Sequence, residues 1–140
     1  MINKFKKSVK NIAVYFCTEI EQRMYPADVK AVLGFCEEEK MNIVLLVQEE
    51  TPDGAMAAKG YATLHEVFLK GLIDGVVTLT KSMLDSAEGE MILNEAIKEN
   101  DRFVLSYMEE ITRREEDAEK LVKMAARARS DENRISIFSL

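Results

Sequence analysis

Turn-forming residues are scarce in this chain, and that scarcity most narrows what it can fold into. Only Pro26, Pro52 and six glycines punctuate 140 residues. A many-stranded β fold needs a turn signal about every 8–12 residues, so the spacing favours long helices. The strongest break is "TPDG" (Thr51–Gly54), with Pro and Gly where a tight turn uses them. "YPAD" (Tyr25–Asp28) and "DSAEGE" (Asp85–Glu90) are the other two connections.

Between these breaks the apolar residues recur at helical intervals. Ile2, Phe5, Val9, Ile12, Phe16 and Ile20 are spaced by three and four, which predicts one face of a helix from Ile2 to Met24. Lys4, Lys6, Lys7 and Lys10 lie off that stripe and are expected on a solvated face. A second helix is expected from Ala27 toward Glu50, through Val29, Val32, Leu33, Cys36 and Ile43. Here the pattern leaves an alternative open. "KNIAVYFCTEI" and "MNIVLLVQEE" are short, β-branched and apolar, so residues 11–19 and 41–49 also fit buried strands of a βαβ unit.

The third segment runs from Ala55 to about Leu84. Glu66, Lys70, Asp74, Thr78 and Lys81 form one thin polar stripe within it, and Gly71 and Gly75 fall on the side of Phe68 and Leu79. Each glycine costs a helix about 1 kcal/mol relative to Ala. The expectation is therefore a buried helix whose glycines let another helix cross closely, with Gly71, Gly75, Phe68 and Leu79 as the packing site. A ligand pocket beside Gly71 and Gly75, edged by Asp74 or His65, is the second reading.

The fourth segment is helical from Asp101 to about Ala128. Glu109–Arg113, Glu110–Arg114, Glu116–Lys120 and Glu119–Lys123 place acid before base at the favourable interval. Lys120, Lys123, Arg127 and Arg129 suit the negative end of the helix dipole. A tail follows in which Ile135, Ile137, Phe138 and Leu140 are bulky and apolar, a candidate partner-binding terminus. The expected fold is all-α: an antiparallel bundle of about four helices, residues 1–130, with a long C-terminal helix and the short tail 131–140. Such a helix outruns its neighbours, so a homodimer with coiled-coil pairing is expected.

The chemistry is defined mostly by what is missing. His65 is the single histidine, and Cys17 and Cys36 have no metal-ligand spacing, so neither a metal site nor a nucleophile–base couple is expected. No phosphate-binding glycine motif occurs, and no cofactor is expected. The net charge of −6 opposes general nucleic-acid affinity. A nucleic-acid-associated subunit using Lys4–Lys10 and the Lys120–Arg134 end stays as a third reading. No apolar run reaches the roughly 18 residues of a membrane span, and the two cysteines fit free thiols in the cytoplasm. The leading expectation is a non-enzymatic regulator or adaptor acting through protein–protein contact and oligomerisation.

Overall fold

A computed structural model describes residues 9–98 and 102–139, with side chains described as far as residue 129. It overturns the all-α expectation. The chain forms a four-stranded, all-parallel sheet with helices between the strands, so neither the helical bundle nor the coiled coil holds. The strands are β1 (Asn11–Glu19), β2 (Asn42–Thr51), β3 (Gly75–Thr78) and β4 (Phe103–Ser106); the helices are α1 (Pro26–Glu38), α2 (Ala58–Leu69), α3 (Ala87–Lys98) and α4 (Tyr107–Ser139). The sheet order is β2-β1-β3-β4. The chain divides into two compact units, Met1–Met108 and Glu109–Leu140.

The βαβ alternative for residues 11–50 is the correct one. β1 is central, paired in parallel with β2 on one side and β3 on the other. Right-handed crossovers put α1 on one face and α2 and α3 on the other. Both faces of β1 are therefore covered, and Ile12, Ala13, Val14, Tyr15, Phe16 and Cys17 are all buried. A strand covered on both faces reads as a continuous apolar run. Such a run meets the three-and-four spacing of a helix by accident, which is why Ile12 and Phe16 looked like a helical stripe.

β2 is the edge strand, and its exposure alternates. Leu45, Val47 and Glu49 are half-buried, while Leu46, Gln48 and Glu50 are exposed. A bulge beside Ile12 and Ala13 shifts its register against β1. Thr51 accepts the Ile20 N–H through its carbonyl, so the ladder phase turns Thr51, Glu49, Val47 and Leu45 toward β1. Leu46, Gln48 and Glu50 then present their backbone groups outward, where no described residue bonds them.

The expected helix Ala55–Leu84 is cut into a helix, a turn and a strand. α2 stops at Leu69, and Gly71 takes a positive φ of 69°. The Gly71 N–H donates to Phe68 O and the Leu72 N–H to Val67 O, both at 3.0 Å, the pairing of a left-handed helix terminus. The chain then enters β3 at Gly75. The stripe Glu66, Lys70, Asp74, Thr78 and Lys81 thus spans three elements, and its helical spacing is coincidental.

α4 is the one long helix of the expectation that is present, though it starts at Tyr107 rather than Asp101. Its backbone stays helical through Ser139, so residues 131–139 continue α4 and do not form a strand-like tail. Glu110 pairs with Arg113 and, at 3.0 Å, with Arg114; Arg113 also meets Asp117 at 3.0 Å. Among the described residues no helix is long and apolar enough to cross a membrane.

Candidate functional site

In an open parallel sheet the carboxyl ends of the strands are where ligands most often bind, beside the point where the strand order reverses. That point lies here between β1 and β3. Its polar side chains are engaged with their own loops. The Cys17 Sγ lies 3.2 Å from Thr51 Oγ1, and Thr51 donates to Ala55 O at 2.9 Å. Thr78 Oγ1 donates to Met83 Sδ at 3.3 Å, and Ser86 Oγ to Met56 O at 2.7 Å. The Met56 N–H in turn reaches Met83 O at 2.8 Å, so Ala55, Met56, Met83 and Leu84 fill the crest as core. Burial pushes the Cys36 thiol up to about 11. Neither cysteine forms a disulfide.

The packing site expected around Gly71 and Gly75 is dispersed. Phe68 and Leu79 are core residues of α2 and of the segment after β3. A Cβ on Gly71 would meet nothing within 4 Å, so no neighbouring helix crosses there. A Cβ on Gly75 would stand 2.5 Å from the Phe103 ring, so this glycine admits a β4 side chain and leaves no slot for a ligand. Asp74 is structural: its Oδ2 accepts the Asn11 N–H at 2.8 Å and holds the amino end of β1. His65 pairs with Glu95 of α3 at 2.8 Å and stacks on Tyr61 at 5.1 Å, joining two helices. Loss of solvent and the Glu95 carboxylate raise the Tyr61 hydroxyl above its usual range. Among the described residues no three potential ligands gather to hold a metal ion. Lys4, Lys6 and Lys7 lie outside the described residues, as does Leu140, and the side chains of Ile135, Ile137 and Phe138 are likewise undescribed.

One arrangement went unread in the sequence. Tyr15, fully buried in β1, donates its hydroxyl to Glu49 Oε2 on β2. The same oxygen lies 3.4 Å from the Ala57 N–H, at the start of α2. Gly60 makes this possible, because a Cβ there would collide with the Glu49 carboxylate and sit 3.1 Å from the Tyr15 ring. Desolvation first, and the bond to Glu49 second, hold the Tyr15 hydroxyl far above its ordinary range, so it remains a donor. Beside this pair is a cavity of about 560 Å³ lined by Val47, Gln48, Glu49, Glu50, Lys59, Gly60 and Thr63. A glutamate two residues before "TPDG" gave no sign of a tyrosine partner 34 positions earlier.

The second exposed feature is on α4. From Thr112 to Arg129 every residue is exposed, including Leu121, Val122 and Met124. Ile111, Ala118, Leu121, Val122 and Ala125 share one stripe of the helix. Residues 109–119 hold six carboxylates and two guanidiniums, and residues 120–129 hold four cations and no acid. Glu109 and Glu110 in the first turn complement the amino end of the helix dipole, whereas the expected basic carboxyl end is not met: the cations of 120–129 fall mid-helix, short of the end at Ser139, and the last turn has no basic residue.

No protein-family model matches the chain, and a comparison with curated protein sequences finds no match.

Proposed function

We propose that this chain is a non-enzymatic regulatory or adaptor protein that works by docking α4 onto a protein partner, in the first instance a second copy of itself. The observation that carries the reading is the exposed stripe Ala118, Leu121, Val122 and Ala125 on a 33-residue helix. A helix gains most of its stability from packing its apolar face, and this stripe has no cover within its own unit. The hydroxyls of Thr51, Thr78 and Ser86 and the Cys17 thiol at the carboxyl edge of the sheet favour the same reading, since they are engaged with groups of their own loops and core. Two buried free thiols fit a cytoplasmic setting.

Sedimentation velocity across a hundredfold concentration range tests the proposal. The expected result is a reversible rise in mass for the wild type and a monomer for Leu121→Glu with Val122→Glu. A wild type that stays monomeric throughout removes self-association. Truncation after Arg134 separately asks whether Ile135, Ile137, Phe138 and Leu140 contribute; an unchanged mass removes them from the contact.

A further inference from the structure

The cavity beside Glu49 touches four consecutive residues of β2, Val47 to Glu50. Side chains alternate between the two faces of a strand, so a space that reaches all four runs along the strand's free edge. Its other wall is Lys59, Gly60 and Thr63, from the first turns of α2. The edge itself presents the outward backbone groups of Leu46, Gln48 and Glu50. Below the groove, the exposed side chains of Val44 and Leu46 supply apolar surface.

Within the groove, Glu49 is a positioned carboxylate. Tyr15 and Ala57 both bond Oε2, and no described residue bonds Oε1. Gly60 keeps α2 close enough to hold it there. Glu50 adds a second carboxylate against the one cation, Lys59, so the groove is net acidic.

We propose that the free edge of β2 and its adjoining groove dock an extended basic segment of another protein, added as a fifth strand. Its backbone would pair with Leu46, Gln48 and Glu50, and a Lys or Arg side chain would enter the cavity to meet Glu49 Oε1. The main-chain bonds supply affinity and the cavity supplies side-chain selection, the usual division in strand addition. The bulge near Ile43 and Val44 confines pairing to the upper half of β2, alongside the cavity. This surface shares no residue with the α4 stripe, and the proposal does not rest on it.

The test is a titration of the full ¹⁵N-labelled chain with the blocked peptide Ac-Val-Lys-Val-Arg-Val-NH2, followed by amide shifts. Saturable shifts are expected at Leu46, Gln48, Glu50 and Lys59, with binding weakened at least about tenfold by Glu49→Gln. Gln48→Pro is expected to abolish binding while the chain stays folded, because that N–H points away from β1. Should Gln48→Pro unfold, the same peptide methylated at alternate amide nitrogens gives the answer from the ligand's side. The Leu121→Glu variant is expected to bind the peptide normally. No saturable shift, shifts elsewhere, or equal binding by the methylated peptide or by Ac-Val-Glu-Val-Glu-Val-NH2 would overturn the proposal. Shifts at the β2 edge on simple concentration, without peptide, would overturn it in favour of a second copy.

Discussion

The carboxylate of Glu49 occupies the space that a Cβ at Gly60 would fill, so strand β2 and helix α2 approach as closely as they do only because residue 60 has no side chain. Gly60→Ala therefore sets two effects against each other. Alanine favours the helix by up to about 1 kcal/mol. Displacing Glu49 strands the buried Tyr15 hydroxyl, at a cost of about 2 kcal/mol. A net loss of about 1 kcal/mol is expected by urea unfolding. The loss should shrink or reverse in a Tyr15→Phe background, where no hydroxyl is left to strand.

Gly71 and Gly75 should respond in different ways to substitution. At Gly71 the cost is the positive φ alone, about 1–2 kcal/mol, and Ala and Leu should cost the same because the space outside is open. At Gly75 the Phe103 ring must move, so Leu should cost clearly more than Ala. Equal costs at Gly75, measured by chemical denaturation, would contradict the geometry.

The thiols should be slow to react. Cys17 and Cys36 are both buried, and burial pushes the Cys36 thiol up to about 11. At pH 8 a disulfide reagent should label Cys36 at the rate the chain opens rather than at the rate of a free thiol. Adding denaturant should expose two equivalents at once. Fast labelling of Cys36 in the native chain would show that the buried face of α1, which carries it, does not stay packed.

Acid should loosen α4. Glu110 is held below the usual carboxylate range, first by its hydrogen bond to Arg113 and then by Arg114. A carboxyl depressed in the folded state stabilises fully above its unfolded pKa and ceases to do so as pH falls through the lower, folded value. Helical circular dichroism should thus decline below the ordinary carboxylate range, by a small amount because the pairs are solvated. Glu110→Gln should remove that part of the decline, and salt should flatten it.

How much of this was legible depends on what surrounds each element. α4 was readable because its ion pairs and exposed stripe are local properties of one helix. β1 was ambiguous because burial on both faces erases the alternation that marks a strand. The third segment misleads more deeply: the Gly71 terminus has the sequence of a helix stop, Lys-Gly after an apolar run, yet the polar residues on both sides of it keep helical spacing. The Tyr15–Glu49 contact could not be read, since register between distant strands is set by the whole sheet. Even so, the glycine next to Lys59 carried a usable signal: a Gly in the first turn of a helix implies something pressing against it.

The central place of β1 also governs how the chain can reach its native state. Of the described strands β1 is made first, yet one of its two neighbours, β3, is not complete until Thr78. Until then one edge of the most apolar strand is open, and its partners arrive by crossovers rather than hairpins, the slow kind of pairing. Synthesis therefore passes through a stage in which β1 and β2 are paired and the β1 edge meant for β3 is bare. Aggregation and chaperone capture should concentrate in that interval, and refolding from denaturant should be limited by the arrival of β3 rather than by formation of α4.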